Sequence, residues 1–333
     1  MKAIIAKHDL ETADPAAFIV EDQPAPEPGA NDLLVRVEAV GMNPVDYKVR
    51  VGFGKDGVLG WDACGIVEKT GAEVTGFQVG DKVYYAGDIT RPGCNSELHL
   101  VDHRIAASAP AKLSAEDAAA MPLTTITAWE GLFDRLGFVA EAGANAGKSI
   151  MIIGGAGGVG SVAIQLAHWA GLTVYATASR PETIEWCKKL GADVTLNHRN
   201  PLNEELKAAG VDGVHAIFCT TQTERHWQAM GECILPQGGV VLIDDPAEPS
   251  DITIFKMKSV SLSWEFMYTR SMFQTEDIAE QGKLLARVAD LLDDGTLVST
   301  RQETLHGLTP ENVQAMHVKQ ESGTVMGKQV LVV

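Results

Sequence analysis

The chain has 333 residues, more than one core comfortably holds, so two domains are expected. Lys plus Arg number 27 against 44 Asp plus Glu, and the net charge of −17 argues against nucleic acid or an anionic membrane surface as a partner. A hydrophobic fraction of 45% with 21% charged residues is that of a soluble globular protein, and no apolar run reaches the ~18 residues of a membrane span.

The N-terminal MKAIIAKHDLETAD turns polar after Ala6, so it reads as a first strand and not as a signal peptide. With no other address, the cytoplasm is the expected location. KAIIAK, DLLVRVEAVG, ACGIVEKTG, DKVYYAG and SELHLV are further strand candidates, and the Pro-rich EDQPAPEPGAND joins the first two. Short strands at this spacing suggest a small barrel or sandwich. Within them GVLGWDACGIV places Asp62 and Cys64 beside Trp61, which raises the question of a metal site. The cysteines are Cys64, Cys94, Cys187, Cys219 and Cys233, with no CxxC. That pattern suits reduced thiols and speaks against a disulfide framework or a structural zinc knot.

Near Ser114 the pattern changes. SAEDAAAMP has a capping Ser with an acid three residues on and Pro122 as a stop. From TTITAWEGLFDRLG to about Met267, helix-like segments alternate with the strand candidates SIMIIGG, LTVYATA, ADVTLN, VHAIFCT, GVVLIDD and SVSLSWEF. That alternation predicts a parallel sheet covered on both faces. The tail holds a long amphipathic helix in TEDIAEQGKLLARVADLLDDG, the strand TRQETL, the helix TPENVQAMHVKQESG and a closing strand KQVLVV. His99 and His103, on a strand candidate, read as ordinary surface histidines.

In SIMIIGGAGGVGSVAIQLAHWAG, Gly155, Gly157 and Gly160 satisfy GxGxxG between an apolar strand and an amphipathic helix. The first two glycines allow the turn and the approach of a pyrophosphate. The third allows helix and strand to pack, and the first-turn amides around Gly158 and Val159 meet the phosphates. About 20 residues on, a reader of a ribose 2′-hydroxyl would be Asp or Glu. Here Ala178, Ser179 and Arg180 stand there, and a hydroxyl with a guanidinium suits a 2′-phosphate, favouring NADPH over NADH. His198 and Arg199 are further candidates for that pocket.

GWDACG (60–65), Gly71, Val74 and FQVGDKV (77–83) carry the spacing by which the chain resembles the medium-chain dehydrogenase/reductase superfamily over nearly its whole length. The resemblance implies an α/β protein with a GroES-like β-barrel catalytic domain over residues 1–124. A Rossmann doubly wound parallel-sheet domain that binds NADPH follows over 125–269, and residues 270–333 return to the first domain. Zinc members take ligands from a Cys in C-x-x-D and the His of G-H-E. Here those segments read Asn43-Pro44-Val45-Asp46 and Gly60-Trp61-Asp62, so no metal is expected. The NPxD segment resembles the zinc-independent quinone oxidoreductase branch. LGWDACG, YYAGDITRPG, PLTTITAWEGLFDRLG and WEFMYTRSMFQT are similar to a bacterial zinc-type alcohol dehydrogenase-like subfamily.

This resemblance implies NADPH-dependent reduction of a quinone or an α,β-enone by hydride transfer without zinc. Asn43, Asp46, Tyr47 and Trp61 are the catalytic candidates. Phe53, Trp61, Trp129, Trp264 and Phe266 are candidates for a flat substrate pocket. Thr127, Cys219, Thr220 and Lys328 are implied near the cofactor. A homodimer through the sheet edge at SVSLSWEF is expected. The competing readings are a metal-dependent alcohol or aldehyde dehydrogenase and an NADPH-binding sensor or structural protein with little turnover.

Overall fold

Strand Asp32–Gly41 is the hub of the N-terminal sheet because its pattern buries nearly every second residue and more: Leu33, Leu34, Val35, Val37, Ala39 and Val40 are all buried. The computed structural model describes residues 1–52 and 54–333, so the pocket candidate Phe53 lies outside the described residues. Asp32–Gly41 runs antiparallel to Asp62–Thr70, with Gly41 opposite Asp62. It also pairs with Leu98–Asp102 and with the C-terminal strand Lys328–Val332. The remaining strands of this sheet are Lys82–Tyr85, Ala106–Ser108 and Arg301–His306. A second sheet joins Phe18–Asp22, Lys2–Ala6 and Gly57–Val58. Two-face burial of these strands makes one apolar cluster that includes Leu33, Val67, Val83, Tyr85, Val101 and Ile105.

The other large sheet is parallel throughout, in the order Val194–Leu196, Thr173–Thr177, Ser149–Ile153, Val214–Cys219, Ile234–Leu242, Ser261–Trp264. Numbered along the chain this is 3-2-1-4-5-6, the doubly wound dinucleotide-binding order. The central strand Ser149–Ile153 (SIMII) and the helix Gly158–Trp169 after it are almost wholly buried, as their apolar composition requires. Contacts divide the chain into Met1–Ile126 with Tyr268–Val333, and Thr127–Met267.

Local chemistry sets the boundaries. Ser114 accepts from the Asp117 amide to cap Ala115–Ala119. Pro122 ends that segment and also opens a new helix, Pro122–Trp129, because a proline is tolerated in a first turn. A helix absent from the expected elements, Pro44–Gly52, interrupts the β-rich region. His99 corrects the surface reading. It is 4% exposed, bonded to the Tyr85 hydroxyl and the Pro92 carbonyl at 3.0 Å each, and burial pulls its pKa down to about 4. Among the described residues no helix is long and apolar enough to cross a membrane.

Candidate active site

The NPxD segment is first of all a helix start. Pro44 occupies the first position of Pro44–Gly52. The Asn43 amide donates to Asp46 Oδ2 at 2.7 Å, and the Asp46 amide donates to the Asn43 carbonyl at 3.1 Å. Asp46 is fully buried, and its Oδ1 has no hydrogen-bond partner. It borders a cavity of about 10 Å³ together with Met42, Gly60, Asn95 and Met316. Burial pushes its carboxyl up to about 7, with Asp62 nearby adding to the rise. Tyr47, on the same helix, is half-buried.

The acid of GWDACG has definite partners. Asp62 Oδ1 accepts from the Leu123 amide at 2.6 Å, in the first turn of Pro122–Trp129. Asp62 Oδ2 accepts from Asn43 Nδ2 at 2.8 Å and from Lys328 Nζ at 2.9 Å. Lys328 Nζ also donates to the Met42 carbonyl at 2.6 Å and to Asn43 Oδ1 at 2.5 Å. Asn43 and Asp62 are 0% exposed and Lys328 2%. The Asn43 side-chain amide, expected to orient substrate or nicotinamide, bonds to Asp62, Lys328 and the Gly41 carbonyl. Lys328, expected near the cofactor, spends all three ammonium protons inside this cluster.

Trp61 is 2% exposed, so it is packed into its own domain and does not stand open as a pocket wall. Its Nε1 donates to the Asp88 carbonyl at 3.1 Å, and its ring meets Tyr268 edge-on with centroids 6.4 Å apart. Tyr268 is itself buried, in the electrostatic reach of Asp46 and Asp62. Nothing in the local sequence singles it out beyond its place in WEFMYTRSMFQT, one of the strings that carry the resemblance. Cys64 is fully buried and its thiol is pushed up to about 12 by burial. Cys94 Sγ donates to the Asp62 carbonyl at 3.5 Å. This donor set does not fit a catalytic metal. An indole offers no lone pair, and the Asn43 oxygen is held by an ammonium.

In the other unit the Gly-rich turn does fit a dinucleotide. The left-handed residue is Gly154 (φ +86°), one before the expected first glycine, and a Cβ there would lie 2.3 Å from Thr220 Oγ1. A Cβ on Gly160 would lie 2.2 Å from the Gly154 carbonyl, so the third motif glycine lets helix and turn close-pack. Helix Gly158–Trp169 starts at Gly157 without a side-chain cap, which leaves its first-turn amides, including Gly158 and Val159, to an anion. Gly155 is buried against Ala176.

Four basic groups gather past the strand ends. Ser179 and Arg180 are half-buried, and the Arg180 Nε pairs with Glu182 at 3.1 Å. His198 is half-buried, and its pKa is pulled down first by burial and then by Arg225, Arg199 and Arg180. Arg225 was missed in the sequence because it lies some 45 residues beyond Arg180, on helix Thr223–Cys233, and only the fold brings the two near His198. Thr220 Oγ1 donates to the Ile153 carbonyl at 2.8 Å, beside the turn. Cys219 belongs to the core cluster, with Sγ donating to the Thr221 carbonyl at 3.4 Å. Thr127 is buried, and Trp129 packs on Phe133 and Trp169 with centroids 4.8 and 6.2 Å away. Trp264 and Phe266, expected in a pocket, stand 50% and 48% exposed at the end of the sheet's outermost strand.

The chain matches two family descriptions, "Alcohol dehydrogenase GroES-like domain" over residues 29–111 and "Zinc-binding dehydrogenase" over residues 158–282. It is 40% identical over 333 residues to a zinc-type alcohol dehydrogenase-like protein of Staphylococcus aureus, covering 99% of both chains. It is 38% identical over 196 residues to 2-methylene-furan-3-one reductase of Solanum lycopersicum, covering 54% of this chain and 48% of that protein. A crystal structure of a candidate zinc-dependent alcohol dehydrogenase from Rhizobium etli superposes with a TM-score of 0.95 at 46% identity, covering 100% of this chain and 98% of the other. A mycobacterial protein complexed with NADPH gives 0.83 at 26% identity, covering 100% of both chains. A quinone oxidoreductase from Coxiella burnetii gives 0.81 at 27% identity, covering 100% and 99%.

Proposed function

The chain belongs to the medium-chain dehydrogenase/reductase superfamily of NAD(P)-dependent oxidoreductases, and we propose that it reduces quinones or activated alkenes with NADPH and without zinc. The observation that carries the reading is the Asn43–Asp62–Lys328 cluster beside Trp61, which stands where a metal-dependent relative would need donor atoms. Without a Lewis acid to polarise a carbonyl, the acceptor must itself be electron-poor. Quinones and α,β-enones meet that condition, and the names of the tomato and Coxiella relatives point the same way.

The nicotinamide cofactor supplies the hydride when bound, and the protein's share is to hold and orient it. Gly154, Gly155, Gly157 and Gly160 would shape the pyrophosphate cradle, with the first-turn amides of Gly158–Trp169 as donors. Ser179, Arg180, His198 and Arg225 would take the 2′-phosphate. A basic group of this kind is notable in a chain of net charge −17.

The test is absorbance-monitored NADPH consumption by metal-analysed protein with 1,4-benzoquinone, 9,10-phenanthrenequinone and simple enones. Turnover at substoichiometric zinc is expected. Stoichiometric zinc whose removal and re-addition abolishes and restores turnover would overturn the metal-free reading. Tight NADPH binding with no turnover on any acceptor would instead support a sensor.

A further inference from the structure

Three oxygens from two separate parts of the chain converge on one buried point. The Met42 carbonyl and Asn43 Oδ1 follow strand Asp32–Gly41, and Asp62 Oδ2 opens strand Asp62–Thr70. Lys328 Nζ sits among them at 2.6, 2.5 and 2.9 Å, and each oxygen takes one ammonium proton. Asn43, Asp62 and Lys328 are each at most 2% exposed. The cage is also tied outward, since Asp62 Oδ1 receives the Leu123 amide and so holds the first turn of Pro122–Trp129.

Charge balance explains why a lysine is there. A carboxylate taken out of water without a compensating charge costs several kcal/mol. Asp62 has its counter-charge in contact, and Asp46, with a carboxyl pushed up to about 7, adds less than a full negative charge near neutral pH. A divalent ion would find its oxygen donors already occupied by three N–H groups and would leave the cluster with excess positive charge.

We propose that Lys328 is the resident cation of this site, a positioning residue whose ammonium occupies an oxygen cage that would otherwise accept a free cation. It neutralises Asp62, orients the Asn43 amide, and through Asp62 fixes the start of helix Pro122–Trp129. The inference concerns the apoprotein, so it stands or falls separately from the substrate and cofactor reading.

The experiment is cation rescue of Lys328→Ala, read by thermal unfolding without cofactor or substrate. The variant should melt lower by about 5 °C, the scale expected for breaking a buried pair in a chain of this size. Millimolar n-butylammonium should raise the melting temperature of the variant and not that of the wild type. Tetramethylammonium, which has no N–H donor, should do neither. Equimolar zinc should leave the wild type unshifted. An unshifted melting temperature in Lys328→Ala, equal effects of both amines, or zinc stabilisation of the wild type would overturn the proposal. Should the alanine variant fail to fold, the pair Lys328→Met and Lys328→Met/Asp62→Asn decides. The double variant should be the more stable, because it removes the uncompensated charge, and the opposite order would overturn the assignment.

Discussion

The Asn43 backbone amide donates to one oxygen of Asp46 at 2.7 Å while the other oxygen has no partner, and the residue borders a small cavity. A fully buried acid satisfied on one side only is the group expected to titrate late, and burial pushes it up to about 7. The native state therefore binds this proton more tightly than the unfolded chain, so the linked stability is fully present below the unfolded pKa near 3.8 and is lost as pH rises towards 7. Asp46→Asn keeps an oxygen acceptor for the Asn43 amide without the charge. Its melting temperature relative to wild type should climb between pH 5 and pH 8. A pH-independent difference would show that Asp46 titrates elsewhere.

His317 has the opposite sign. Both of its ring nitrogens lack partners, Phe18 lies 4.7 Å away ring to ring, and burial pulls it down to about 3. The unfolded chain takes up this proton near 6.5 and the native state only near 3, so stability falls with pH across that window. His317→Phe should lose less stability on acidification from pH 6.5 to pH 4 than the wild type does, measured by denaturant titration at each pH. Parallel curves for the two proteins would rule out this residue as the acid-sensitive group.

Cofactor selectivity rests on Arg180 and Arg225 in the proposed reading. A charge-assisted bond to phosphate contributes about 1.5–3 kcal/mol, so Arg180→Ala or Arg225→Ala should each weaken NADPH binding by roughly 10-fold or more. NADH, which lacks the 2′-phosphate, should bind as before. Fluorescence titration with both dinucleotides checks this. Equal losses for the two would mean that the arginines act on the fold and not on the phosphate.

The outermost strand Ser261–Trp264 pairs on one side with Ile234–Leu242 and exposes Leu262 and Trp264. A free strand edge carrying apolar side chains is a template for pairing with a second copy. The homodimer that the resemblance implies would use that edge, so Trp264→Lys should convert a dimer into a monomer in light scattering while the melting curve stays cooperative. An unchanged mass would place any dimer contact elsewhere.

Much of the architecture was legible because its signals are local. The Gly-rich turn lies between an apolar strand and an apolar helix, and the alternation from residue 149 onward reads as a parallel sheet from periodicity alone. Capping chemistry likewise placed Ser114 at a helix start. The absence of a Cys at position 43 and of a His at position 61 was plain in the residues themselves.

Tertiary structure decided what those residues do instead. Lys328 and Asp62 are 266 positions apart, and no local pattern pairs them. They meet because the last strand returns to lie beside Asp32–Gly41, with Val330 opposite Gly41, while Asp62 stands opposite the same glycine on the other flank. Arg225 joins Arg180 near His198 only through the winding of the parallel sheet. His99 looked like a surface residue because strand alternation does not say which face is covered. Composition and short-range spacing thus determine the elements and the missing metal donors. Burial and long-range register determine which charges compensate one another, since both depend on what the whole chain places beside each group.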